Sequence, residues 1–263
     1  MRAILDSIIE IERGSAPLIA VGLHAAHEVR DSLVPDLAIT DSQRLREEDP
    51  LTDFWTTVCP NRVVARRSRF EVDLNRPPRT AVYREPADAW GLNVWRGPLR
   101  EESLAKSMAE YRRFYAHMDQ VLTQLANDYG HFVLLDVHSY NHRRLGPGAP
   151  AAAPELNPEV NVGTGSLDRR RWGALVDRFI SDLRGHPFLG RQLDVRENVN
   201  FLGGYLVYWV HERFPESGCA LAIEFKKFFM DEWSGFVDLD VVQAIHAALG
   251  STLAGLLEEL ERL

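Results

Sequence analysis

The chain has 263 residues, 45% hydrophobic and 26% charged, which are the proportions of a soluble globular protein long enough for one sizeable core. A formal charge of −8 and a pI near 5.6 exclude a broadly basic surface, and the basic clusters 66-RRSR-69 and 168-DRRRW-172 are too short to suggest a nucleic-acid partner. No run approaches the roughly 18 apolar residues of a membrane span, and Asp6, Glu10 and Glu12 interrupt the N-terminal apolar stretch as they would not in a leader peptide.

In chain order, 17-PLIAVGLH-24 predicts a buried strand ending at His24, and the first half of 62-RVVARRSRF-70 predicts a weaker one. From Glu101 to Asn127 the residues Leu104, Met108, Tyr111, Tyr115, Met118, Leu122 and Leu125 recur every three or four positions, the spacing of one helical face, and Gly130 offers a stop. The apolar run 131-HFVLLDVH-138 follows as a third strand, so helix feeds buried strand as in a parallel αβ unit. Residues 145–165, rich in Pro, Gly and Ala, predict a long loop at the mouth of a site. A helix is expected over 167–184, with 168-DRRRW-172 as its solvated start, and a strand over 193–198. A Gly203-Gly204 turn then leads to a short helix stopped by Pro215, 219-CALAIEF-225 is a strongly apolar strand, and 239–263 is a closing helix. This alternation predicts an α/β fold, three layers α/β/α around a mostly parallel mixed sheet, with 1–263 as a single catalytic domain. Cys59 and Cys219 are too few and too far apart for a disulfide framework, and a reducing cytoplasm is the expected compartment.

Three expected strand ends carry unusual groups: His24 with His27 and Glu28, His138 with Ser139, and Glu224. Ligands of open α/β sheets bind beyond the carboxyl ends of the strands, where groups distant in sequence meet. A catalytic zinc takes three nitrogen or oxygen ligands and keeps one open position. The pair in 24-HAAHE-28 joined by His138 meets that requirement; equally, each histidine satisfies a purely structural hydrogen bond. Glu224, alone in CALAIEF, must face a partner, water or a cleft, because an unpaired buried acid costs several kcal/mol. It is either a general base or the partner of a core arginine. In 69-RFEVDLNRPPR-79, Arg69, Asp73, Asn75 and Arg76 make either an anion site or a salt-bridged turn. No G-x-S-x-G elbow is present for a serine hydrolase.

GLHAAHEVR, LREEDPLTDFWT, SRFEVDLNRPPR, DVHSY, NFLGGY and ALAIEF, in that order from about Leu18 to Asp231, resemble the N-formylglutamate amidohydrolase family, relatives of the zinc carboxypeptidase, succinylglutamate desuccinylase and aspartoacylase group. The resemblance implies a zinc-carboxypeptidase-like fold and a Zn2+-dependent amidohydrolase (one ion per chain, another divalent metal being possible) acting on a small N-acyl amino acid such as N-formylglutamate. It implies His24 and His138 as outer zinc ligands. The carboxypeptidase pattern has a glutamate three residues after the first histidine; here His27 stands there, with Glu48 as the alternative ligand and Glu28 a weaker one. Arg69 then stabilises the oxyanion, Asn75 and Arg76 grip the substrate carboxylate, Glu224 is the general base, and Gly203 and Gly204 allow close backbone approach. A carboxypeptidase or another N-acyl amino acid deacylase would need the same groups, and a non-catalytic binding protein on this scaffold is the reading of a different class.

Overall fold

A computed structural model describes residues 2–5 and 8–263. Asp6, one of the acids counted against a leader, lies outside them. Eight strands among the described residues form one sheet: β1 (Arg2–Leu5), β2 (Ile9–Arg13), β3 (Leu18–Gly22), β4 (Asn61–Ala65), β5 (Phe132–Tyr140), β6 (Val160–Gly163), β7 (Val195–Glu197) and β8 (Gly218–Lys226), in spatial order 1-2-4-3-5-8-6-7. The central run β4-β3-β5-β8 is parallel, while β1, β2 and the β6–β8 pair are antiparallel. The α-helices are α1 (Asp41–Glu47), α2 (Thr52–Trp55), α3 (Glu101–Tyr129), α4 (Arg169–Gly185), α5 (Tyr205–Arg213), α6 (Leu239–Ser251) and α7 (Leu253–Leu260).

Strand periodicity builds the layers. On β3, Leu18 and Ala20 join one core while Ile19 and Val21 join another; on β5, Val133, Leu135 and Val137 part from Phe132 and Leu134 in the same way. Successive side chains of a strand face opposite sides of the sheet, so one face packs on α4, α6 and α7 and the other on α3 and α5. With both faces covered, the nine residues of β5 are all buried. The predicted three-layer α/β architecture is the one observed.

Most of the expected elements lie where the patterns put them. Helix α3 buries Tyr111, Met118, Leu122 and Leu125 of the expected stripe and ends at Gly130, whose φ of 79° is the left-handed backbone glycine tolerates. Helix α4 starts at Arg169 behind Asp168, whose side chain caps the Arg170 N–H. Three readings are corrected. The 145–165 segment is not loop throughout, since Val160–Gly163 pairs antiparallel with β8; four residues are too few for periodicity to register. The closing helix is broken at Thr252, whose N–H and hydroxyl both bond the Leu249 carbonyl. Leu239–Leu260 is also long and apolar enough to pass for a membrane span by length and composition. It packs instead as a core helix pair through Val242, Ile245, Ala248, Leu249 and Leu256. Cys59 and Cys219 are both free and buried.

Candidate metal and substrate cleft

The histidines, the glutamate and the arginine segment come from the carboxyl edge of the parallel strands. His24 lies two residues beyond β3, His138 stands two residues before the end of β5, Glu224 is its register partner on β8, and the Arg69–Arg76 segment follows β4. On β5 the face that is apolar at Phe132 and Leu134 turns polar at Asp136 and His138. His24, Arg69, Asn75, Arg76, His138 and Glu224 line one cleft of about 580 Å³ that also includes Asp49, Trp90, Arg144, Gly203 and Gly204.

The two distant histidines meet, with ring centroids 4.9 Å apart. Between them stands Asp49: its Oδ2 is 3.0 Å from His138 Nδ1 and 3.3 Å from His24 Nδ1. Donor atoms of the three residues lie within 4.8 Å of one another, and all three are buried. Burial works to raise the Asp49 carboxyl, but its bonds to His138 and His24 outweigh that and hold it far below the usual carboxylate range. An ionised carboxylate and two imidazole nitrogens this close suit one divalent ion bound at about 2 Å from each. The nitrogens facing away from that point are also engaged. His24 Nε2 is 2.8 Å from Asp73 Oδ1. His138 Nε2 is 3.1 Å from Asn75 Nδ2, with Asp136 Oδ1 beside it at 2.9 Å in an ion-pair contact. Burial disfavours the His138 cation, yet Asp136 and Asp49 raise its pKa well above the ordinary value.

His27 and Glu48, the expected second ligand and its alternative, are set apart from this cluster and paired with each other, Nδ1 to Oε2 at 2.5 Å. His27 Nε2 meets the Arg44 guanidinium, and Glu48 Oε1 accepts the Ser68 hydroxyl. The reason is local: the chain bends at His24 and has no regular structure through His27, so no helical repeat brings the two rings to one face. Glu28 is exposed beside Arg67. Asp49 was missed because 46-REEDP-50 offers three adjacent acids. What places it is tertiary: its N–H bonds the His24 carbonyl at 2.9 Å, and the buried Lys227 ammonium donates to the carbonyls of Arg46 and Glu48, 2.6 Å each.

Glu224 lies on the cleft, half-buried, and burial raises its carboxyl to about 7 although the nearby His138 opposes the shift. Arg69 is held by three acceptors: Asp73 Oδ2 at 2.8 Å, the Tyr83 hydroxyl at 3.0 Å and the Glu47 carbonyl at 3.1 Å. Its guanidinium also sits 4.7 Å over the Trp90 ring. Arg76 is looser, 40% exposed with an ion pair of 3.8 Å to Asp73. Asn75 is committed within the fold: its Oδ1 accepts the Leu206 N–H at 2.9 Å. This satisfies the first turn of α5, whose own N-cap, Gly204, has no side chain to do so. A Cβ on Gly204 would lie 2.2–2.5 Å from the Asn75 amide, so the glycine admits Asn75, and the φ of 118° at Gly203 is glycine backbone. Across the cleft Arg144 forms a two-pronged pair with Glu47 at 3.0 Å per bond.

The sequence profile of the N-formylglutamate amidohydrolase family matches residues 16–230. An N-formylglutamate deformylase of Pseudomonas aeruginosa is 24% identical over 274 residues, 96% of this chain and 97% of that protein. A namesake from Pseudomonas putida is 26% identical over 175 residues, spanning 61% of this chain and 63% of its own length, a little under two thirds. The crystal structure of N-formylglutamate amidohydrolase from Ralstonia eutropha JMP134 has a TM-score of 0.75 at 16% identity, covering 98% of this chain and 99% of that one. Gene product Atu2144 of Agrobacterium tumefaciens gives 0.66 at 16% identity, with 95% and 96% covered. At such identities these two likenesses are of fold.

Proposed function

Because the chain belongs to the N-formylglutamate amidohydrolase family, we propose that it hydrolyses the amide of an N-formyl amino acid, N-formylglutamate first, releasing formate and the free amino acid. The observation that carries this reading is one cleft holding three buried donors, His24, Asp49 and His138, beside the carboxyl of Glu224. Zn2+ is the ion that a donor set of two imidazoles and one carboxylate suits best. Bound there, a divalent cation supplies Lewis acidity and brings the pKa of a water toward neutrality.

The protein's own groups perform the rest. Glu224, with a carboxyl near 7, is matched to taking a proton from the attacking water at neutral pH. As the new C–O bond forms, charge builds on the carbonyl oxygen. Arg69 is fixed at three of its N–H groups and offers the remaining ones to that oxygen without reorganising. Glu224 then hands its proton to the amine nitrogen as the C–N bond breaks. Arg76 is the partly exposed guanidinium of the cleft and takes the substrate carboxylate. Asn75 acts behind it, holding the start of α5 beside His138.

Metal analysis with an amine-release assay tests this. Protein purified without chelators is expected to carry about one Zn2+ per chain and to turn over N-formyl-L-glutamate. Glu224→Gln should keep the metal and lose on the order of 10²–10⁴ in kcat; unchanged turnover would remove Glu224 as the base. The cleft of about 580 Å³ is roomy for a formyl group, which favours N-acetyl and longer N-acyl amino acids as a second substrate class for the same panel. Bound metal with no turnover on any of them would point to a binding protein instead.

A further inference from the structure

We propose that Tyr83 is a positioning residue serving both halves of this machinery: its hydroxyl fixes Asp73 and Arg69 together, and through Asp73 sets the orientation of His24. The inference rests on the cation reading above.

Tyr83 is 1% exposed and its ring is pinned by edge-to-face contacts with Phe70 and Trp90, centroids 5.8 and 6.0 Å away. Trp95 Nε1 donates to the Tyr83 carbonyl at 2.8 Å, which ties the backbone as well. The hydroxyl is therefore delivered at a fixed point, where it does two things. It accepts the Arg69 Nε–H at 3.0 Å and donates its own proton to Asp73 Oδ2. Only a neutral phenol can do both, and burial pushes its pKa strongly upward, so it stays neutral.

Asp73 is the hub. Oδ1 meets His24 Nε2 and the Asn75 N–H, each at 2.8 Å, while Oδ2 takes Arg69 Nη2 and the Tyr83 hydroxyl. A carboxylate held at both oxygens cannot rotate. It keeps the hydrogen of His24 on Nε2 and leaves Nδ1 directed at Asp49. Without the Tyr83 hydroxyl, Oδ2 keeps one hydrogen bond, from Arg69, and the longer 3.8 Å ion pair to Arg76, and Arg69 loses the acceptor for its Nε–H in a buried setting. Both the cation donor and the oxyanion cation are then free to tilt, while the partly exposed Arg76, which Tyr83 does not bond, keeps its place in the cleft.

The test is Tyr83→Phe, which removes one oxygen. Titration with Co2+, followed by its visible absorption, is expected to show affinity weakened about tenfold. Kinetics on N-formyl-L-glutamate should show kcat down by about tenfold with KM nearly unchanged, since a catalytic loss without a binding loss marks mispositioning. A variant with a lowered melting temperature but wild-type Co2+ affinity and kcat would overturn the inference and make Tyr83 a packing residue. If wild type takes up no Co2+, the cation reading falls and this inference with it; if wild type binds and Y83F binds equally well, this inference alone falls. Should Y83F not fold, p-aminophenylalanine at position 83 places a weaker donor and poorer acceptor at the same point, and Co2+ affinity within about twofold of wild type would then overturn it.

Discussion

In the geometry of the cleft it is Asp49, and not His27, that stands with His24 and His138. A pair of histidines three apart reads as a metal pair, yet His27 is 39% exposed and engaged by Glu48 and Arg44, whereas Asp49 sits between His24 and His138. Metal content separates the two. His24→Ala, His138→Ala and Asp49→Ala are each expected to lose the cation, and His27→Ala to keep it, at a stability cost of about 1 kcal/mol for the broken hydrogen bonds. A cation lost from His27→Ala and kept by Asp49→Ala would restore the pattern-based assignment. Lys227 belongs to this scale too. It is a buried ammonium whose pKa burial lowers, and it donates to two carbonyls just ahead of Asp49, those of Arg46 and Glu48. Lys227→Met should destabilise by about 2–3 kcal/mol through the unsatisfied carbonyls and weaken cation binding by releasing the Asp49 segment.

Among the elements, α5 ties the site to the stability of the molecule. Its first turn is capped from another segment by Asn75, which also touches His138, and this depends on the missing Cβ of Gly204. Gly204→Ala should displace Asn75, cost about 1–3 kcal/mol by overpacking and lower cation affinity; wild-type affinity and melting temperature would show the close approach to be unimportant. At the other end of α5, half-buried His211 accepts the Ala220 N–H at Nε2 and so carries its hydrogen on Nδ1, toward Ser166. That direction rules out a Ser166–His211 nucleophile pair, in which the imidazole would have to accept. Burial lowers the His211 pKa from 6.5 to about 4. The folded state thus binds this proton less readily than the unfolded chain, so the contribution is full above about pH 6.5 and is lost as pH falls toward 4. At most about 3 kcal/mol is at stake. Urea unfolding of wild type and His211→Gln at pH 7.5 and 4.5 measures it: the gap between the two proteins should shrink at the lower pH, and a constant gap would refute the linkage.

For the molecule as a whole, one sheet with a core on each face argues for 1–263 as a single folding unit. We expect one calorimetric transition, since neither core survives loss of the sheet that divides them. Excess Zn2+ should shift it upward without splitting it. At a free concentration 100 times Kd the gain is about 2.7 kcal/mol, or roughly 5–10 °C for a chain of this size. Two resolved transitions would divide the domain, and no shift with Zn2+ would count against the cation site.

The central strands β3, β5 and β8, the long helix and the layered α/β plan were legible in the sequence because burial on both faces of a parallel sheet leaves continuous apolar runs, and a helix covering it leaves a stripe; the edge strands β1, β2 and β6 were not. The polar ends of those runs were legible as well: His24, His138 and Glu224 stand out because an ionisable group in an apolar strand is costly without a task. Periodicity carries no such signal for Asp49, Tyr83 or the engaged amide of Asn75, which lie in irregular segments. Their positions follow from bonds between backbone and side chains far apart in the chain, His24 to Asp49, Lys227 to Glu48, Asn75 to Leu206, and such bonds exist only once the layers have packed.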